Sequence, residues 1–250
     1  MEKITSRRNP VCVHLRKLGM SREYRNEQRQ YLCDGTKLLG EAIMNGAKIT
    51  AVISSSYPPF PVPEETPLYH AGKELIDSIS PLKNAQETIF ACSMNEAEDC
   101  DFTEGTHILL DGVQDPGNVG TIIRSAHAFG IKSVILTGDC ADVYNPKTIR
   151  ATMGAIFKQK VFRISTSGLA DLKRNGTSFT GAAQGEDAVL LTGINIKDTI
   201  IAVGNEGAGL SDDVLALCGS TVYIPVSVGC ESLNAAVAAS VIMWECVRKD

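Results

Sequence analysis

The chain has 250 residues, of which 44% are hydrophobic and 21% charged, and 24 Lys and Arg against 29 Asp and Glu leave a net charge of −5. This composition supports a buried core in one large or two modest domains, and it excludes a disordered chain or a uniformly basic nucleic-acid binder. No apolar run reaches the roughly 20 residues of a membrane span, and no apolar segment follows the basic residues at the start, so neither a membrane anchor nor a secretory signal is expected.

Charge is segregated along the chain. Residues 1–50 balance to +5, 64–115 to −10, 124–174 to +6 and 175–250 to −6. Two basic blocks in an acidic chain allow a localised contact with a polyanion. Residues 1–30 interleave Arg7, Arg8, Arg16, Lys17, Arg22, Arg25 and Arg29 with Val11, Leu15, Leu18 and Tyr24, which predicts one or two helices with a wet basic face. A helix over 37–44 stops at Asn45-Gly46, and Ile49 to Ile53 is a strand. Five prolines between Ser54 and Pro67 demand a loop. Residues 68–93 hold a further helix and strand, and the acidic, apolar-poor stretch Asn95 to Gly105 marks a domain boundary.

Beyond it, buried-type strands alternate with helices. Strands are predicted at 107–111, 133–136, 160–164, 199–203 and 222–225, with helices after 117, over 146–157, from 211 and over 232–247. Continuous apolar strands between helices predict a parallel sheet covered on both faces. The eight cysteines form no CxxC pair, and no His stands at metal-ligand spacing from one. Free thiols in a reducing cytoplasm and no metal site are therefore expected.

Three strand-to-loop junctions carry unusual residues, and ligands of parallel sheets gather at such junctions. The first, Asp111 to Arg124, has Gly117 and Gly120 for close backbone approach and Asn118 as a helix N-cap. Arg124 alone reads more readily as a surface arginine of that helix. The second, Gly204 to Asp213, spaces its glycines GxxGxG, the reverse of the dinucleotide order, and no phosphate-binding GxxxxGK[ST] occurs anywhere. The third, Ile224 to Asn234, offers Ser232 as a helix N-cap before a run of small residues.

Together these segments resemble the three signature motifs of the SpoU (TrmH-like) branch of the SPOUT RNA methyltransferases. The matching residues are Asn118, Gly120 and Arg124; Gly204-Asn205-Glu206-Gly207, Gly209, Leu210 and Ser211; and Ile224-Pro225 with Ser232-Leu233-Asn234. Pro146-Lys147 and Arg150 to Ala155 are similar to the family's helix between motifs. Ile4-Thr5-Ser6, Asn9-Pro10 and Tyr31 to Gly35 are similar to the small RNA-binding domain that precedes many members acting on ribosomal RNA. Cys33-Asp34-Gly35 stands where an apolar residue, Glu and Gly are commoner.

The resemblance implies an α/β fold: a small ribosomal-protein-like RNA-binding domain over 1–98, a linker over 99–104, and a SPOUT methyltransferase domain over 105–250. In that last domain the parallel sheet is tied in a trefoil knot. It further implies S-adenosylmethionine as donor, a ribose 2′-hydroxyl of large-subunit ribosomal RNA as acceptor, a homodimer, and no membrane or metal. Arg124 would be the central catalytic residue, held by Glu206, with Asn118, Asn234 and Ser232 completing the site. Gly204, Asn205, Gly207, Ile224, Ser232 and Leu233 would bind the donor. Arg7, Arg8, Arg16 and Arg150 are the candidates for RNA phosphates. A transfer RNA ribose, a Rossmann-type NAD(P) oxidoreductase and a non-catalytic RNA-binding module are the alternatives.

Overall fold

The computed structural model describes residues 1–94, 99–185, 187–193, 196–227, 229 and 232–248. The first four residues of the expected boundary stretch and Cys230 lie outside the described residues. At the start of the chain, β1 (Glu2–Ile4) leads to Asn9, whose side chain accepts from Val11 N and caps α1 (Pro10–Met20). Ser21 ends that helix and caps α2 (Arg22–Gln28). There follow β2 (Gln30–Asp34), α3 (Thr36–Met44), β3 (Ile49–Ser54), β4 (Leu68–Ala71), α4 (Lys73–Asp77) and β5 (Thr88–Ser93). Asn45 caps the C-terminus of α3 as expected, and Gly46 takes the left-handed φ of 66° that releases the chain. The five strands form one mixed sheet in the order β1-β4-β3-β5-β2, over a core of Leu15, Leu18, Leu32, Ile53, Ile76 and Ile89.

The second half begins with β6 (His107–Asp111), α5 (Pro116–Ala128) and β7 (Ser133–Thr137). Next come α6 (Pro146–Thr152), β8 (Val161–Arg163), α7 (Thr166–Arg174), β9 (Phe179–Ala182) and β10 (Val189–Leu190). The chain closes with β11 (Ile200–Val203), α8 (Asp212–Leu217), β12 (Ser220–Tyr223) and α9 (Ala235–Val247). The sheet order is β10-β12-β9-β11-β6-β7-β8, parallel throughout. Every residue of β6, β7 and β11 is buried, which is why those strands are unbroken apolar runs. No described helix is long and apolar enough to cross a membrane.

Three local expectations change. The helix expected to Phe157 ends at Thr152, because Met153 and Gly154 take φ of 49° and 96°; a 3₁₀ turn, Ala155–Phe157, follows. Asp115, not Asn118, caps α5, with Pro116 supplying the pre-set φ of its first turn. Asn234, not Ser232, caps α9: its Oδ1 accepts from Ala236 N and Val237 N.

Contacts divide the chain into two units, Met1–Glu96 with Asp142–Lys158, and Ala97–Ala141 with Gln159–Asp250. Residues 142–158 thus pack within the first unit, although sequence places them in the second. The reason is a set of polar and aromatic partners far away in sequence. Arg25, expected on the wet face of the basic stretch, is only 3% exposed. Its guanidinium is ion-paired to Asp142 at 2.5 Å and donates to Leu18 O at 2.7 Å. Arg150 pairs with Asp34 at 3.1 Å, and Asp34 also accepts from Ser80 Oγ and Gln86 N. Tyr144 lies against Tyr31, ring centroids 4.7 Å apart.

Asp142→Ala therefore leaves a buried guanidinium uncompensated and is expected to cost about 3–5 kcal/mol in urea unfolding. Asp139→Ala, at an exposed carboxylate in the same loop, should cost no more than about 0.5 kcal/mol. Equal losses from the two would show that the pair does not hold the segment.

Candidate functional site

β6 ends on Asp111, a buried carboxylate that accepts from Ser211 N at 2.7 Å and ties the first junction to the start of α8. Asp115 caps α5, so the side chain of Asn118 is not needed for capping and projects from the first turn. Its Nδ2 donates to Glu206 Oε1 at 2.5 Å, and its Oδ1 accepts from Asn234 Nδ2 at 3.0 Å. One polar line thus joins all three junctions. Its orientation is determined from one end: Asn234 Oδ1 accepts from the amides of α9, so Asn234 Nδ2 donates to Asn118 Oδ1 and leaves Asn118 Nδ2 to donate to Glu206. Both carboxamides must therefore donate towards Glu206.

The loop after β11 closes on itself. Asn205 and Gly209 exchange backbone hydrogen bonds at 2.9 Å. Asn205 Oδ1 accepts from Gly207 N and Ala208 N, and its Nδ2 donates to Gly112 O at 2.9 Å. A Cβ on Gly204 would stand 2.1 Å from the Gly209 carbonyl carbon. The missing side chain of Gly204 is thus required by its own loop.

At the C-terminal ends of β9, β11 and β12 these segments surround a cavity of about 610 Å³. Gly204, Asn205, Gly207, Ile224, Ser232 and Leu233, the six residues expected to bind a donor, all line it, and Glu206 lines it as well. Sequence reading missed Ala182 to Gln184 and Tyr223 in the same wall. β9 carries one large apolar residue, Phe179, among Thr180, Gly181 and Ala182, so it gave no strand signal.

A SpoU rRNA Methylase family model matches residues 105–244. The chain belongs to the SpoU rRNA methylase family. It is 30% identical over 247 residues to the 23S rRNA (guanosine(2553)-2′-O)-methyltransferase RlmP of Bacillus subtilis, covering 98% of both chains. It is 37% identical over 149 residues to the 23S rRNA (uridine(2479)-2′-O)-methyltransferase of Streptomyces viridochromogenes, covering 57% of this chain and 52% of that one. Among solved structures, an AdoMet-bound rRNA methyltransferase from Sinorhizobium meliloti superposes with a TM-score of 0.88 at 29% identity, covering 98% of this chain and 97% of that one.

Against this SpoU frame, Arg124 stands apart from the polar line. It is exposed on α5, and its guanidinium has no hydrogen bond or ion pair among the described residues. Glu206 therefore does not hold Arg124, as sequence reading expected; it holds Asn118. Helix geometry gives the reason: six residues place Arg124 about 9 Å further along α5 and roughly 120° around it from Asn118.

The arginines proposed for RNA divide in a similar way. Arg7 and Arg8 are exposed, and their guanidinium groups have no partner among the described residues. Arg16 is half-buried and donates to Ser78 O and Arg7 O, while Arg150 is engaged by Asp34. Burial raises the thiol of Cys218 to about 11 and that of Cys246 to about 12, so neither is a thiolate at neutral pH.

Proposed function

We propose that this SpoU-family chain methylates the 2′-hydroxyl of a ribose in large-subunit ribosomal RNA, with S-adenosylmethionine bound in the cavity below Glu206. The observation that carries the reading is Glu206 itself, which lines the cavity and accepts from Asn118 at 2.5 Å. Donor pocket and polar line thereby meet at one side chain. The cavity suits such a donor: about 610 Å³, walled by apolar side chains and the backbone of a closed glycine loop. S-adenosylmethionine supplies an activated methyl group on a sulfonium.

A ribose hydroxyl is a poor nucleophile at neutral pH, so it needs in-line placement and stabilisation of the charge left as its proton departs. The uncommitted guanidinium of Arg124 clamps the neighbouring phosphate and stabilises the developing alkoxide. Asn118, Glu206 and Asn234 hold the starts of α5 and α9 and the glycine loop in register, with Ser232 at the cavity wall. Arg7 and Arg8 take RNA phosphates, with Arg16 beside them. Arg150 serves chiefly to hold residues 142–158 to Asp34. Ribosomal RNA is favoured over transfer RNA by the N-terminal unit and by relatives matched over their whole length. That substrate and the free thiols favour a cytoplasmic location.

Purified protein, labelled donor, and separate ribosomal and transfer RNA test the reading. The expected product is one alkali-resistant 2′-O-methyl linkage in the large ribosomal RNA. Label confined to transfer RNA, or on a base, would overturn it.

The protein also acts as a homodimer through α9. Val237, Val241, Trp244 and Val247 lie along one face of that helix and are 50%, 38%, 53% and 39% exposed. The helix packs on α5 along the edge of this stripe, where Ser125 and Ser240 share a hydrogen bond at 2.9 Å and the Trp244 and Phe129 ring centroids stand 6.0 Å apart. An apolar helical stripe left in water is best covered by a second copy of itself. Sedimentation should find a dimer that Trp244→Asp converts to a folded monomer. A wild-type monomer at micromolar concentration would rule this out.

A further inference from the structure

In the N-terminal sheet β1, β4, β3 and β2 run the same way, and β5 runs against them. Ile4, Ala71, Ser54 and Asp34, the last residues of those strands, therefore lie along one end of the sheet with Thr88, where β5 starts. The order β1-β4-β3-β5-β2 puts β3 in the middle, two strands or about 10 Å from either edge. Just past these ends come Arg7 and Arg8 after β1, Tyr57 after β3 and Lys37 after β2. All four are exposed, and the charged groups of the three cations have no partner among the described residues. An aromatic residue thus follows the central strand, and cations follow both edge strands.

Tyr57 is 79% exposed, more than any other large hydrophobic side chain among the described residues. A single exposed ring is ordinary on a protein surface, but this one is held out by an anchored loop. Just before it, Ser55 N donates to Glu87 O at 2.9 Å and Ser56 Oγ to Glu87 Oε2 at 3.2 Å. Just after it, Pro58 and Pro59 restrict the backbone. Phe60 then lies against α3, where a Cβ on Gly40 would stand 3.1 Å from its Cε1. The other tyrosines are all engaged within the chain or at the cavity. Tyr24 shares a hydrogen bond with His14, Tyr31 and Tyr144 stack, Tyr69 packs on the core and Tyr223 lines the cavity. From Ser54 to Pro67 the loop has no basic residue, and it carries Glu64 and Glu65. Its offer to a polyanion is therefore not charge but the flat face of one ring.

We propose that Tyr57 stacks on an unpaired base of the RNA substrate, while Arg7 and Arg8 on one side and Lys37 on the other hold the flanking phosphates. The assignment rests on the reading that the substrate is ribosomal RNA. Bases inside an RNA duplex are stacked on one another, whereas an unpaired base can present its face to an aromatic side chain. Every base has such a face, so Tyr57 selects unpaired over paired RNA and does not choose one base over another.

Fluorescence anisotropy with the full chain tests it on two probes, a labelled single-stranded RNA of about a dozen nucleotides and the same strand annealed to its complement. Tyr57→Ala should bind the single strand about tenfold more weakly and the duplex as wild type does. Tyr57→Phe keeps the ring and should bind both as wild type. The salt slope of single-strand binding should survive in Tyr57→Ala, and it should become shallower when Arg7→Ala and Arg8→Ala are combined, because only that pair loses phosphate contacts. Tyr57→Trp should bind as wild type, and the single strand should quench the added indole. The melting temperature of Tyr57→Ala should not move, since the ring stands in water. Unchanged single-strand affinity in Tyr57→Ala overturns the proposal, as does a wild type that does not bind the single strand. So does an equal loss on the duplex, which would mark a general surface contact, or an equal loss in Tyr57→Phe, which would assign the contact to the hydroxyl. Wild-type methylation of large ribosomal RNA separates the two readings. Where it is present beside any of these outcomes, only the stacking fails; where it is absent, the ribosomal reading fails and this assignment fails with it.

Discussion

Gly204→Ala should abolish donor binding while the N-terminal unit stays folded. The added Cβ would lie 2.1 Å from Gly209 C, 2.2 Å from Gly209 O and 2.4 Å from Leu210 N. These are backbone atoms, so no rotamer change relieves the overlap. The loop must open, and the paired bonds between Asn205 and Gly209 break with it. Asn205 then loses the geometry that holds Gly207 N, Ala208 N and Gly112 O, and Glu206 is no longer presented to Asn118. Overpacking against backbone costs up to about 3 kcal/mol or more, so affinity for S-adenosylhomocysteine should fall at least 100-fold in calorimetry. Neighbouring glycines supply the controls. At Gly207 a Cβ would meet only Asn205 Oδ1 at 3.6 Å, so Gly207→Ala should keep the loop closed and bind the donor more tightly than Gly204→Ala. At Gly209 space is open but φ is 73°, so Gly209→Ala should cost about 1–2 kcal/mol and fall between them. Equal binding by the Gly204 and Gly207 variants would show that the loop is not closed as described.

What the chain reveals in one dimension depends on how local the cause is. β6, β7 and β11 are legible because burial on both faces demands an unbroken apolar run. The glycine loop and the polar line are legible in their residue types, since strand, turn and helix start succeed one another within a few positions. β9 is not, because its middle strand position needs small residues that give no period, and Gln184 was lost with it. Two good caps, Ser232 and Asn234, stand two residues apart, and only the path of the chain decides between them. Arg25 and Asp142 are 117 residues apart, so no local pattern could pair them. Threading is invisible to periodicity for the same reason: a trefoil knot follows from resemblance alone.

The charge blocks need the same correction. Of the nine basic residues in 124–174, Lys132, Arg163 and Lys173 donate to backbone carbonyls, Arg150 and Arg174 pair with carboxylates, and Lys160 interacts within the chain. Arg124, Lys147 and Lys158 remain. Among the described residues, a block that sums to +6 therefore offers a polyanion three uncommitted side chains, and one of them is the proposed catalytic arginine.

Arg124→Lys should lose about 10²–10³-fold in kcat and leave donor affinity unchanged. Arg124 does not line the cavity, so calorimetry with S-adenosylhomocysteine should not detect the change. It is exposed and unpartnered, so stability should move by no more than about 0.5 kcal/mol. The charge survives the substitution, and so does much of the side chain's length. What disappears is the planar fork, which can engage a phosphate oxygen and a developing alkoxide together, where an ammonium is a single point charge. A pH profile separates this role from proton abstraction. Guanidinium titrates above about 12, so an arginine acting as base would make log kcat climb with unit slope across the accessible range. A positioned cation predicts no such slope from Arg124, and a loss in the Lys variant that is the same at pH 7 and pH 9. Asn118→Ala offers the contrast. It cuts the line between Glu206 and Asn234 and should lower kcat less, because the charge at Arg124 remains in place. Turnover by Arg124→Lys within a few-fold of wild type would mean that positive charge alone suffices, and the forked contact would have to be abandoned.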